Sequence, residues 1–149
     1  MMAKFFSIAS ASVPPLNDVA NKSWSFTFQP TPTIITSIAQ NRGGNSLGLD
    51  PEKDGDIMSV LVSVSWDAVV EDVLIEEQVK AVLARAKSEA VVMGVLNRYE
   101  YLNYAAGWQD PIAGYGESVR RELQVVSKAY DPKRMFQRLV PGGFKLFDA

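Results

Sequence analysis

Two residue types are missing from this chain of 149 residues: it contains no cysteine and no histidine. The first absence excludes disulfides, thiolate nucleophiles and thiolate-held metals. The second removes the usual general base near neutral pH, the commonest transition-metal ligand and any histidyl link to a cofactor. Catalysis must then rest on Tyr, Asp, Glu, Lys, Arg or Asn, or on shape and hydrogen bonding alone. A strong field of one sign is also missing. With 15 basic and 17 acidic side chains the formal charge is −2, which offers no basic surface for nucleic acid or an anionic membrane. No apolar run reaches the roughly 18 residues of a membrane span. The opening MMAKFFSIASASV carries Lys4, a short apolar run and Ala9-Ser10-Ala11, a faint likeness to a secretory leader. Ser7 and Ser10 break the run, so the expectation is a cytoplasmic chain that keeps these residues.

What is present reads as ordinary folded protein, with 47% hydrophobic and 21% charged residues, the balance of a globular domain. SWSFTFQP alternates: Trp24, Phe26 and Phe28 share one face, while Ser25, Thr27 and Gln29 share the other, which predicts a strand closed by Pro30 and Pro32. Ile34 to Ala39 is a short strand or a turn of helix. Gly43, Gly44 and Gly48 then mark a loop, and DPEKDGD is turn material. IMSVLVSVSWD predicts a second strand, with Val60, Val62, Val64 and Trp66 on one face and Leu61, Ser63 and Ser65 on the other. In the next segment Ile75, Val79, Val82, Leu83, Ala86, Ala90 and Met93 recur at helical spacing, with acids at the start and Gly94 as the cap. NRYEYLNYA predicts a third strand. ESVRRELQVVSKAYDP predicts a second long helix whose buried stripe is Val119, Leu123, Val126 and Tyr130, stopped by Pro132. This order predicts a single α+β domain over 1–149: an antiparallel sheet with helices packed on one face and a pocket on the other.

Three features look like chemistry and are better read as structure. RGGNSLGL lacks the Lys-Ser/Thr of a P-loop and the spacing of a dinucleotide fingerprint, so its glycines serve turns. Glu71, Asp72, Glu76 and Glu77 sit at a helix start, where acids are stabilising without a metal. Asp50, Asp54 and Asp56 lack the spacing and terminal Glu of a calcium loop. No metal site is expected. The stronger signal is the segment from Tyr99 to Gly116, with four tyrosines and Trp108. On a strand, Tyr99, Tyr101 and Asn103 would point to one face. Either this is a half-exposed sheet with amphipathic phenols, or it is one wall of a polar cavity to which Thr27, Gln29, Ser63 and Ser65 contribute.

YLNYAAGWQDPIAGYG followed by YDPKRMFQRLVPGGFKL resembles the C-terminal end of fungal FAD-linked oxidoreductases of the berberine bridge enzyme-like type. Upstream, FTFQPTPTIIT, GGNSLGL and VLVSVSWD match the substrate domain of that family in the same order, so the likeness covers about residues 22 to 146. The resemblance implies that Tyr101 and Asn103, with Tyr99, face flavin and substrate, and that Tyr104 supports the turn. Where relatives often have a polar residue after NYA, this chain has Ala106. The FAD-binding domain of the family lies outside these residues.

Three readings of function therefore stand. The first is a flavin-independent cyclase or isomerase of fungal secondary metabolism. It binds an apolar polyketide or terpenoid-type small molecule and steers ring closure. Tyr99, Tyr101 and Asn103 would be its catalytic hydrogen-bonding groups. Gln29, Thr27, Ser63, Ser65, Trp66, Tyr104 and Trp108 would bind substrate, and no cofactor would be needed. Trp24, Phe26 and Phe28 would be further walls unless they face the helices as core. The alternative is a fragment or subunit of a flavin oxidoreductase, with FAD on a separate domain; a non-catalytic binder is the third reading. The tail 131–149 exposes Phe136, Leu139, Val140, Phe144 and Phe147 in this reading, which predicts a homodimer through the tail.

Overall fold

A computed structural model describes residues 1–147; the last two residues of the expected tail lie outside the described residues. Among the described residues seven α-helices and two strands follow one another: α1 (Met2–Ala11), β1 (Ser23–Thr31), α2 (Thr33–Asn41), α3 (Pro51–Asp54), β2 (Ile57–Ser65), α4 (Asp72–Val92), α5 (Pro111–Gly114), α6 (Glu117–Tyr130) and α7 (Met135–Arg138). The strands pair as an antiparallel two-stranded sheet, and the fold is α+β. The chain divides into two compact units, Met1–Phe28 with Val60–Leu96, and Gln29–Ser59 with Asn97–Ala149. Among the described residues no helix is long and apolar enough to cross a membrane.

The first unit is built on strand alternation. Trp24, Phe26, Phe28, Val60 and Val62 turn inward onto a cluster of Phe5, Ile8, Ala9, Val82 and Ala86. Phe5 meets Phe26 and Phe28 edge to face, with centroids 5.6 and 5.8 Å apart, the geometry favoured by the ring quadrupoles. A second cluster of Leu16, Val19 and Ile75 is covered by Trp24, Val64, Trp66 and Val79. The aromatic residues of β1 are thus core, as their helix-facing alternative required. The opening residues form α1, an amphipathic helix that packs on α4 through Phe5, Ile8 and Ala9, an i, i+3, i+4 stripe. On α4, Ile75, Val82, Ala86 and Ala90 are buried and Gly94 closes the helix at φ +67°, while Met93 is exposed.

The second unit is mostly loop and short helix, held by side chain–backbone bonds. Asn45 accepts from the Leu47 and Leu49 amides and donates to the Leu49 carbonyl. Asp50 caps α3 by accepting from the amides of Glu52 and Lys53, and its carboxyl pKa is lowered, first by the Lys53 side chain. Asp54 accepts from the Asp50 amide, and Asp56 from the Thr33 amide at the head of α2. The three aspartates are turn-formers.

Several expectations are corrected here. β1 runs through Pro30 to Thr31, since an edge strand tolerates a proline whose missing N–H faces away from the ladder. Ile34 to Ala39 lies in α2. The expected third strand does not form: residues 97–101 are irregular and Leu102–Tyr104 is a 3₁₀ turn. Side chains take up that segment's backbone groups in place of a ladder. On α6 the buried stripe stops short, for Val126 and Tyr130 are exposed while Val119 and Leu123 are half-buried.

Neighbouring phenylalanines test this core. Phe5 is 2% exposed and Phe6 59%. Phe5→Ala should cost about 3–5 kcal/mol, and Phe6→Ala less than about 0.5 kcal/mol. Urea unfolding midpoints measure both; equal losses would mean that α1 does not dock through Phe5.

Candidate functional site

Residues 97–116 are anchored at both ends. The Tyr99 amide donates to Asn97 Oδ1 (2.8 Å), and Asn97 Nδ2 donates to Asp54 Oδ1 (2.9 Å) at the end of α3. Arg98 reaches in two directions: Nε donates to the Gly114 carbonyl (2.9 Å) and Nη2 to the Gly48 carbonyl (3.0 Å). One guanidinium thereby joins the glycine loop to the turn after Asp110, itself capped by Asp110 Oδ1 accepting from the Ala113 amide. Gly48 has φ +72°, and a Cβ there would lie 2.0 Å from the Tyr115 carbonyl oxygen. Only glycine fits that approach.

This scaffold sets the phenols. The rings of Tyr99 and Tyr115 stack, centroids 6.2 Å apart and 21° between planes. Tyr115 is buried and Tyr99 half-buried. Tyr101 and Tyr104 meet edge to face at 4.7 Å, and Asn103 Nδ2 donates to the Tyr101 hydroxyl (2.9 Å). The 3₁₀ turn, not strand alternation, brings Asn103 to Tyr101. Nearby, Gln109 accepts from the Ala106 amide and donates to Glu100, which fixes the loop on which Trp108 is exposed.

Burial raises the pKa of the Tyr99 phenol, and the neighbouring Tyr115 and Tyr101 raise it further; Tyr115 is raised by burial and then by Tyr101. Both stay protonated at neutral pH and act as donors. Because Asn103 donates to the Tyr101 oxygen, the Tyr101 proton remains available for a second partner, and accepting one bond strengthens the other. The set can polarise a carbonyl or hold an oxyanion. Neither Tyr99 nor Tyr115 is a base at neutral pH.

The other expected substrate residues divide between the two units. Thr27, Ser63 and Ser65 are exposed on the outward side of the strands in the first unit. Trp66 is in that unit's core, its indole N–H donating to Asp72 Oδ1 (2.7 Å) at the start of α4. Gln29 is exposed on β1 and belongs to the second unit, as do Tyr99, Tyr101, Asn103, Tyr104 and Trp108. Arg98 and Tyr115 were not among the predicted site residues. The close spacing of Gly114, Tyr115 and Gly116 is a signal for Tyr115; a lone arginine between Asn97 and Tyr99 carries none.

The glycine loop does not suit a dinucleotide. The space beside Gly48 holds the Tyr115 backbone, and the Gly48 carbonyl is bonded to Arg98, where a phosphate cradle would turn amides toward an anion. Among the described residues no group of three or more acidic side chains gathers to hold a metal.

The chain is similar to parts of fungal FAD-dependent monooxygenases. It is 39% identical over 119 residues to the FAD-dependent monooxygenase drtC of Aspergillus calidoustus, covering 80% of this chain and 22% of that protein. With the FAD-dependent monooxygenase CTB5 of Cercospora beticola it shares 32% identity over 148 residues, 97% of this chain and 27% of the relative. With the bifunctional solanapyrone synthase of Alternaria solani it shares 32% over 118 residues, 79% and 22% respectively. The chain thus spans about a quarter of the length of these relatives. No family model matches it, and no solved structure does.

The raised phenols make the site visible in alkali. An unfolded tyrosine ionises near 10, whereas the folded chain holds the Tyr99 and Tyr115 protons to higher pH. The resulting stability is complete below about pH 10 and is lost as pH rises through the folded values. Denaturant midpoints between pH 8 and pH 11.5 should fall for the native chain and fall less for Tyr99→Phe. An identical fall in both would contradict a buried stack.

Proposed function

We propose that the chain is the substrate-facing part of a berberine bridge enzyme-like oxidoreductase of fungal secondary metabolism. In this reading Tyr99, Tyr101 and Asn103 donate hydrogen bonds to a carbonyl or enolate-like oxygen of an apolar small molecule. The carrying observation is the Asn103–Tyr101 hydrogen bond beside the Tyr99–Tyr115 stack, a set of hydrogen-bonding groups gathered on an anchored segment. The names of the longer relatives support a flavin partner. Flavin supplies hydride or electron acceptance when bound. The glycine loop here does not fit its diphosphate, and in this reading the flavin is held by residues other than that loop. This chain's part is to bind, orient and keep the substrate oxygen polarised.

A cofactor-free cyclase or isomerase is the second reading. It is favoured by the same donor set, which polarises a carbonyl for ring closure without any redox group. Tyr104 and Trp108 line the site in both readings, and Thr27, Gln29, Ser63, Ser65 and Trp66 are not assigned to it.

An enolate mimic tests the donors directly. Binding of 4-nitrophenolate to the purified chain, read from its visible absorption, should weaken by about tenfold or more in Tyr101→Phe and in Asn103→Ala, the loss expected for a hydrogen bond to a charged oxygen. Equal affinity in all three proteins would overturn the assignment. Flavin adenine dinucleotide added to the same chain should keep its free fluorescence; micromolar quenching would move the flavin site onto this chain.

A further inference from the structure

Two exposed apolar patches in this chain carry opposite charge. The first lies where β2 leads into α4. Val69, Val70 and Val73 are 82%, 84% and 69% exposed. Residues 67–77 around them hold five acidic side chains and no basic one, Asp67, Glu71, Asp72, Glu76 and Glu77, of which Glu76 is paired with Lys80 on the next turn. Asp67, Asp72, Glu76 and Glu77 are exposed. The second lies on α7 and the turn after it. Phe136, Leu139 and Val140 are 71%, 65% and 49% exposed, at i, i+3 and i+4. Residues 133–145 around them hold four basic side chains and no acidic one: Lys133, Arg134, Arg138 and Lys145.

The basic patch is held in shape. Asp131 accepts from the amides of Met135 and Phe136 with its two oxygens and so starts α7. Lys145 Nζ donates to the carbonyls of Phe136 and Val140. The Leu146 backbone is gripped on both sides, its amide by Gln137 and its carbonyl by Gln124 of α6. The Arg134 guanidinium lies 4.3 Å over the Phe147 ring. These bonds fold the tail back on α6 and leave Phe136, Leu139 and Val140 facing outward. The tail is thus a preformed surface, which lowers the ordering cost of docking.

We infer that the chain self-associates with the basic α7 patch of one copy on the acidic α4 patch of a second. Each patch pairs an apolar centre with charges at its rim, the arrangement of a specific interface, and the rim charges are complementary. A second copy is the one partner certain to carry both halves. In a twofold dimer the contact is made twice, which covers six exposed aliphatic and aromatic side chains on each copy. The expected homodimer through the tail thereby gains a docking surface. This inference does not depend on the chemistry proposed for the tyrosines.

Charge exchange tests it. Light scattering on the native chain at about 50 µM in low salt should give a dimer, and raising salt to about 0.5 M should weaken it, since rim charges are screened beyond a few ångströms there. Lys133→Glu with Arg138→Glu should raise the dissociation constant by about 100-fold, as should Glu76→Lys with Glu77→Lys in a separate protein. Mixing the two variants should restore the dimer, because both contacts of the mixed pair are complementary again. A native chain that is monomeric in low salt would overturn the inference whether or not the variants fold. So would a dimer that persists in both variants, or variants that fold and fail to associate when mixed.

Discussion

The arrangement of the tyrosines depends on one guanidinium. Arg98 is bonded to the carbonyls of Gly114 and Gly48, and those carbonyls come from two loops that share no ladder. Around it, Gly48 admits the Tyr115 backbone at a distance that no side chain would allow. A hydrogen bond from a charged donor to a carbonyl is stronger than one between neutral groups. Two such bonds from a planar fork fix direction as well as distance, which a lysine would not reproduce. The stack of Tyr99 on Tyr115 then follows from backbone positions, with Tyr99 adjacent to Arg98 and Tyr115 adjacent to Gly114.

The chemistry of the site is bounded by what surrounds those phenols. With no histidine or cysteine in the chain, proton abstraction near neutral pH would fall to a carboxylate or another group and not to the Tyr99 or Tyr115 phenol. Burial pushes the tyrosines further from ionisation. Donors of this kind stabilise charge that develops on a substrate oxygen and leave electron or hydride transfer to another group. That division of labour fits a chain that matches about a quarter of flavin-dependent relatives.

Some of this was legible in the sequence and some was not. The period-two pattern of Trp24, Phe26 and Phe28 and the helical stripe of Ile75, Val82, Ala86 and Ala90 read correctly, because burial of a continuous apolar face decides both elements. The same logic misread residues 97–105. Tyr99, Tyr101 and Asn103 alternate as a strand would, yet their backbone is held by side chains of Asn97 and Gln109, and such bonds leave no periodic trace. Tyr101 and Asn103 still came together, through a turn in place of a pleat. Trp66 looked like a pocket wall from its place after β2; its indole N–H instead serves Asp72. On α6, Val126 and Tyr130 keep helical spacing but are exposed. Spacing identifies a face without saying what covers it. At the start of the chain no element was assigned from the sequence, although Phe5, Ile8 and Ala9 form a helical stripe.

The central claim is that Arg98 holds Tyr99 and Tyr115 in a protected stack. Tyrosine ring ¹³C resonances followed from pH 8 to pH 12 report each phenol separately. In the native chain Tyr99 and Tyr115 should ionise above the ordinary value near 10. In Arg98→Ala both should move toward that value together while the core resonances of Phe5 and Val82 stay in place. If both phenols titrate unchanged after Arg98 is removed, the guanidinium does not organise the site and the account is wrong.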